Sequence, residues 1–258
     1  MQLSSPKNPR LQLIRRAASD GRPTADGLIV AEGPHLIAEA LGSRWRIEQV
    51  FATAHARDDH ADLLARIDAE IVEISPRAFS SIASTETSQE LLALLRPKTF
   101  TWPDLLAPSA LLVVLDAIQD PGNAGAIVRS AEAFAATGLV LLPGCARVSN
   151  GKFLRATAGS LFRLPYLESI ALADLLARVA ETGLALYALT PHAPTPLTHA
   201  DLGLPCALAV GSEGRGLSPE LLAHARPLSI PAIQVESLNA AVACSIALFE
   251  ARRQRSSA

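Results

Sequence analysis

LLVVLDAIQDPGNAGAIVRSAEAFAATGLVLLPG, residues 111–144, writes a strand, a helix and a second strand in one stretch. Two continuous apolar runs, LLVVLDAI (111–118) and GLVLLPG (138–144), flank a segment near 124–136 in which Ile127, Ala131 and Phe134 recur at helical spacing. Strands that are apolar throughout keep no face for solvent, so they belong to a parallel sheet buried on both sides. Downstream, LALYALT (184–190), CALAVG (206–211) and LSIPAI (228–233) continue the pattern, with helical segments near 152–162, 170–181, 218–225 and 239–253. Upstream, NPRLQLIRRAAS, LIVAEG, PHLIAEAL, IEQVFATA, HADLLARIDA, EIVEIS and ELLALLR alternate helical and extended patterns, as in a small α/β domain. Three prolines within residues 97–109 interrupt this alternation. The chain is therefore expected to divide into an N-terminal domain over 1–98, a linker over 99–109 and a C-terminal domain over 110–258.

With 258 residues, 49% hydrophobic and 19% charged, the composition excludes extended disorder. No run approaches the roughly 18 apolar residues of a membrane span, and MQLSSPKNPR has no apolar core behind its charges. A soluble, cytoplasmic protein without membrane contact is expected. Cys145, Cys206 and Cys244 are odd in number and lack CxxC or Cys/His spacing, which favours buried thiols over disulfides or a metal site. A net charge of −2 gives no overall attraction to nucleic acid, so any such binding must be local. Two basic stretches exist: Lys7, Arg10, Arg15, Arg16 and Arg22 against Asp20 and Asp26, and Arg147, Lys152, Arg155 and Arg163 with no acid over residues 133–167. On charge alone, solvated helix faces are the favoured reading of both.

Ligands of open parallel sheets bind beyond the carboxyl ends of the strands, and three such loops are unusual. In DAIQDPGNAGAIVRSAEAF (116–134), Asn123 is placed to cap a helix starting at Ala124, and Arg129 points away from the packed face. Arg129 is then either a solvated arginine or a ligand for phosphate or substrate. In ALAVGSEGRGLSPELL (207–222), Gly211, Gly214 and Gly216 let backbone donors approach a ligand, but the spacing is neither GxGxxG nor GxxxxGK[ST]. Glu213 within that loop would repel a phosphate and suits a neutral or cationic ligand. In LSIPAIQVESLNAAVACSIALFEARRQR (228–255), Ser237 is placed to cap the last helix, whose Leu238, Val242, Ile246 and Phe249 form an apolar stripe. Asn239 is unfavourable in a first helical turn, and its amide is available to orient a ligand.

Taken together and in order, DPGNAGAIVRSAEAF, VGSEGRGLS and IPAIQVESLNAAVACSIALFE closely resemble the three motifs of the SpoU (TrmH) family of RNA ribose 2′-O-methyltransferases. KFLRATAGSLFRLP resembles the family's basic helix, and AEGPHLIAEAL and TETSQELLALL more loosely resemble the substrate-binding domain that precedes the catalytic domain in several members. In the last segment members usually have glycine after the glutamine, whereas Glu90 follows Gln89 here. The resemblance implies an α/β fold: a smaller N-terminal domain, and a C-terminal parallel-sheet domain with a deep trefoil knot. The residues alone lead to an open, doubly wound sheet, because chains are generally unknotted.

The resemblance further implies S-adenosylmethionine as cofactor, contacted by main-chain groups at Gly211, Ile230 and Leu238 with Thr190 lining the pocket. It gives Arg129 the target hydroxyl, as base or as holder of the adjacent phosphate, with Asn123, Glu213, Ser237 and Asn239 keeping arginine, ribose and cofactor in register. Because arginine side chains generally stay protonated in proteins, electrostatic positioning is favoured. The required 2′-hydroxyl selects RNA over DNA. Members act as homodimers in which the arginine of one subunit can serve the site of the other, which makes the C-terminal helix a candidate interface, with intrachain core the equal alternative for its apolar stripe. The expected activity is methyl transfer to a ribose 2′-hydroxyl of structured RNA, with 23S rRNA favoured, tRNA the close alternative, and a non-catalytic RNA-binding module the reading from another class. An oxidoreductase with a nicotinamide cofactor is disfavoured by the missing dinucleotide fingerprint.

Overall fold

The computed structural model describes residues 3–85 and 87–256. Its chain forms two compact units, one comprising the described residues through Thr99 together with Arg147–Arg163, the other Phe100–Ala146 with Leu164 onward. The segment 147–163, which the sequence pattern runs continuously into the second domain, thus packs with the first.

In the first unit, helix α1 (Pro9–Asp20) leads to strand β1 (Ile29–Glu32), helix α2 (Pro34–Leu41) and strand β2 (Arg46–Ala52). Short helices α3 (Ala54–Asp59) and α4 (Ala61–Leu64), strand β3 (Glu70–Glu73), helix α5 (Pro76–Phe79) and strand β4 (Leu91–Arg96) follow. Side chains start most of these helices: Asn8 caps α1, Thr53 caps α3 and Ser75 caps α5, each accepting from a backbone N–H of the first turn. The strands order as β1-β4-β2-β3, with β4 antiparallel to β1 and β2 and β3 parallel to β2. Leu11 and Ile14 of α1 pack with Phe51, Ile74, Phe79 and Leu92 in one apolar core.

Glu32 and the loop before β4 hold together the two segments that suggested this domain. The Glu32 carboxylate accepts from the Ser84 amide (2.7 Å) and from the hydroxyls of Ser84 (2.6 Å), Thr85 (2.5 Å) and Ser88 (2.8 Å). Burial pushes this carboxyl's pKa up, but the bonds from Ser84, Thr85 and Ser88 outweigh it and hold it below the ordinary value. Glu90, where the family usually has glycine, adopts φ 53°, the left-handed region that glycine enters without strain. Its carboxylate accepts from Thr53 Oγ1 at 2.6 Å, a bond glycine lacks. Glu86 of TETSQELLALL lies outside the described residues.

The second unit runs from helix α6 (Trp102–Leu105) through strand β5 (Leu111–Asp116), helix α7 (Pro121–Ala133) and strand β6 (Gly138–Leu141). Helix α8 (Gly151–Thr157) and a 3₁₀ turn at Ser160–Phe162 belong to the first unit. The second resumes with strand β7 (Tyr166–Leu167), helix α9 (Leu172–Thr182), strands β8 (Ala185–Leu189) and β9 (Cys206–Gly211), helix α10 (Pro219–His224), strand β10 (Arg226–Leu228) and helix α11 (Ala240–Ser256). All six strands pair in parallel in the order β10-β8-β9-β5-β6-β7. β5 and β9 are buried almost throughout, in line with their continuous apolar sequence.

Several local expectations are corrected. The last strand is Arg226–Leu228 rather than 228–233, so Ile230 falls in the following loop. Asp120, not Asn123, caps α7: its carboxylate accepts from the Asn123 amide at 2.8 Å, and Pro121 opens the helix. Asn239, not Ser237, starts α11, its Oδ1 accepting from Ala241 N (2.9 Å) and Val242 N (3.2 Å). The α11 stripe is not core, since Val242, Ile246 and Phe249 are exposed while Ala240, Cys244, Ala247, Leu248 and Ala251 face inward. Cys206 and Cys244 are buried, and burial raises both thiol pKa values, Cys244 to about 12. Cys145 is half-buried and pushed up to about 11 by desolvation. No helix among the described residues is long and apolar enough to cross a membrane.

Candidate active site

The carboxyl ends of β5, β8, β9 and β10 open onto the loops that sequence singled out. Asp116 ends β5 with a buried carboxylate that accepts from the Ser218 amide at 2.7 Å, pinning the far end of the glycine loop. Between these ends the loop doubles back, and Gly216 N donates to Ser212 O at 2.8 Å. Gly216 has φ +67°, and a Cβ on Gly211 would fall onto the backbone of Gly216 and Leu217. Gly211 is therefore required by the loop's own fold, before any ligand is considered. Gly214 faces open space.

Three side chains distant in sequence, from the start of α7, from this loop and from the cap of α11, meet at its turn. Asn123 Nδ2 donates to Glu213 Oε1 at 2.7 Å, Asn239 Nδ2 donates to Asn123 Oδ1 at 3.2 Å, and Asn239 Nδ2 also donates to Glu213 Oε1. Asn239 serves twice, its oxygen capping α11 and its nitrogen bonding Glu213. Placing Asp120 at the cap leaves the Asn123 side chain to this cluster, one turn into α7.

Two clefts meet at Glu213. One, of about 340 Å³, lies over the ends of β8, β9 and β10, and Thr190, Gly211, Ile230, Ser237 and Leu238 all line it. Its described lining includes Glu213 and Glu236 but no lysine or arginine, a balance that disfavours phosphate and suits a cation. The second, of about 300 Å³, is lined by Gln119, Asp120, Asn123 and Arg215, and shares Ser212, Glu213 and Ala240 with the first. No group of His, Cys, Asp and Glu able to hold a metal occurs among the described residues.

Arg129 is exposed on α7 and lines neither cleft. Its helix packs on α11, where Ser130 and Ser245 hydroxyls bond at 2.6 Å and the Phe134 and Phe249 rings meet edge to face at 5.8 Å. Of the expected site residues, Asn123, Glu213 and Asn239 are thus brought together, Ser237 joins the cleft wall instead, and Arg129 stands apart. Asp116 and Asp120 escaped sequence reading, although an acid closing an otherwise apolar strand is a signal for the first.

Comparison with known proteins also gives two matches, the C-terminal one of which includes the 147–163 segment. The SpoU rRNA Methylase family model matches residues 110–249, and the MRM3-like substrate binding domain model matches residues 8–93. A tRNA/rRNA methyltransferase of Synechocystis, described as uncharacterized, is 34% identical over 98% of this chain and 94% of its own. The 23S rRNA (guanosine(2553)-2′-O)-methyltransferase of Bacillus subtilis is 30% identical over 97% of this chain and 99% of its own. Among solved structures, the SpoU methyltransferase AviRb from Streptomyces viridochromogenes in complex with AdoMet superposes with a TM-score of 0.87 at 26% identity, covering 97% of this chain and 99% of that one. An AdoMet-bound rRNA methyltransferase from Sinorhizobium meliloti gives 0.84 at 27% identity, covering 98% and 97%.

Proposed function

The chain belongs to the SpoU rRNA methylase family, and from that premise we propose that it methylates a ribose 2′-hydroxyl of 23S rRNA, with S-adenosylmethionine held in the cleft over β8, β9 and β10. The observation that carries this reading is the pair of clefts that share Glu213, whose carboxylate Asn123 and Asn239 hold. A cationic donor fits the first, whose lining among the described residues carries the carboxylates of Glu213 and Glu236 and no lysine or arginine; the ribose of the acceptor fits the second, which the polar side chains of Gln119, Asn123 and Arg215 line. When bound, the cofactor's sulfonium supplies an electrophilic methyl group. Main-chain groups at Gly211, Ile230 and Leu238 would hold its adenine, with Thr190 closing the wall. The amides of Asn123 and Asn239 fix the Glu213 carboxylate at the junction, ready to order ribose and donor without rearrangement. Preference for 23S rRNA is supported by the Bacillus relative that carries that name.

A 2′-hydroxyl must lose its proton as it attacks in line. We assign Arg129 to holding the acceptor ribose and its phosphate by charge, serving the site of a partner subunit. Its absence from the lining of both clefts of its own chain, and the exposed Val242, Ile246 and Phe249 on the helix packed against α7, support a homodimer through this face. The deep trefoil knot belongs to the same proposal: the chain leaves the edge strand β10 and returns to a helix packed on α7 and β9.

The test is transfer of radiolabelled methyl from S-adenosylmethionine to unmodified total RNA, fractionated into ribosomal and transfer RNA. Label is expected in 23S rRNA, with Arg129→Ala reducing turnover by about 10²-fold or more while cofactor affinity persists. Full turnover by the variant would remove Arg129 from the site, and label confined to transfer RNA would replace the substrate.

A further inference from the structure

The basic residues of both stretches fall in the first unit. Arg15 of α1 and Lys152 and Arg155 of α8 line one cavity of about 510 Å³, with Ser80, Ser81 and Ser84 on its rim. No carboxylate lines it among the described residues. Several other arginines of the unit are neutralised: Arg10 pairs with Glu70, Arg57 with Glu73, and Arg46 and Arg96 with Glu48. Arg15 and Arg155 have no carboxylate partner among the described residues.

The cavity is also held in shape. Arg155 Nη1 donates to Ser84 Oγ at 3.1 Å, and Ser84 is fixed by its amide and hydroxyl bonds to buried Glu32. Ser149 Oγ donates to Gly21 O at 2.7 Å, tying the start of the α8 segment to the end of α1. The hydroxyls of Ser80, Ser81 and Ser84 donate to Pro76 O, Ala78 O and Glu32 and shape the wall, while the two guanidinium groups offer the planar, charged donors that suit phosphodiesters.

We infer that this cavity binds the sugar-phosphate backbone of the RNA substrate away from the methylated nucleotide, with Arg15 and Arg155 as its principal ligands. The inference rests on the RNA reading above. It also gives segment 147–163 a role: although contained in the methylase match, it completes a binding surface of the substrate-binding unit.

The experiment measures binding of the full-length protein to in vitro transcribed, unmodified 23S rRNA between 50 and 300 mM KCl, roughly the range over which phosphate neutralisation dominates affinity. Arg15→Ala/Arg155→Ala is expected to weaken binding about tenfold or more and to flatten the log–log salt dependence by about 0.7–0.9 for each phosphate left without its arginine. KM for RNA should rise with kcat at saturation and S-adenosylmethionine affinity unchanged. Arg15→Lys/Arg155→Lys keeps the charges and should keep most of the slope. Single Arg15→Ala, on an exposed side chain, should flatten the slope by about half as much as the double variant, whether or not the latter folds well. Wild-type affinity and slope in both alanine variants would overturn the cavity while leaving the methyltransferase reading intact. Failure of the wild-type protein to bind any RNA would overturn both. Weaker affinity for assembled ribosomal particles alone, with naked RNA bound as by wild type, would mean the cavity reads protein and would also reject the proposal.

Discussion

Glu32 and Glu213 are both carboxylates that hold a loop, one in each unit, and they do so in opposite settings. Glu32 is buried at the end of β1, receives four hydrogen bonds from the 84–88 loop, and has a lowered pKa. Glu213 is exposed on a turn, where two asparagine amides reach it from loops distant in sequence. The first arrangement anchors the fold, because a buried carboxylate is costly unless its lone pairs are satisfied. The second is not demanded by burial: a solvated carboxylate needs no such partners, and two amides that could face water are committed to aiming it. That contrast is what the proposal rests on: Glu32 as a carboxylate kept for stability, Glu213 as one kept for chemistry.

The sharpest way to break the contrast is Glu213→Gln. It should leave urea unfolding within about 0.5 kcal/mol of wild type, as for surface changes generally, while lowering methyl transfer by roughly 10²-fold, on the scale of losing a preorganised electrostatic group. An equal loss of stability would make Glu213 structural after all. Glu32→Gln should do the reverse, costing about 2 kcal/mol by urea titration with specific activity retained in the folded fraction. The sign of its pH dependence follows from the lowered pKa. The stabilisation is complete above the ordinary carboxylate range and is lost as pH falls through the folded value, so the variant should show a shallower acid limb in a stability–pH profile. A smaller effect comes from the glycine loop. Gly211→Ala presses on the Gly216 and Leu217 backbone and should weaken cofactor binding by about tenfold, roughly 1.4 kcal/mol, in calorimetry. Gly214→Ala meets open space and should change little; equal effects at both positions would deny that the loop's packing on itself matters.

Much of this was legible in the sequence where physics is local. The continuous apolar runs at 111–118 and 206–211 point to buried parallel strands, which the structure places side by side as β5 and β9. β7 was invisible because two residues, Tyr166–Leu167, carry no periodicity. The caps were misassigned because Asp120 and Asn123, like Ser237 and Asn239, are competing cap formers a few residues apart, and propensity does not choose between them. Membership of 147–163 in the first unit depends on tertiary bonds such as Ser149 to Gly21, 128 residues apart. The site shows the same limit. Asn123 and Asn239 meet across 116 residues, and only the resemblance of all three motifs to one family placed them together beforehand. Glu90 is the converse case: the departure from glycine was plain in the sequence, but its left-handed backbone and its bond to Thr53 belong to the fold.

The central claim is that the two clefts flanking Glu213 serve transfer of a methyl group to a ribose oxygen. Its most direct test is mass spectrometry of 23S rRNA after incubation with the protein and S-adenosylmethionine, digested to nucleosides and, in parallel, with alkali. The account predicts one additional 2′-O-methylnucleoside and one alkali-resistant dinucleotide, both missing with Glu213→Gln. A methyl group found on a base, or an alkali-sensitive product, would contradict it.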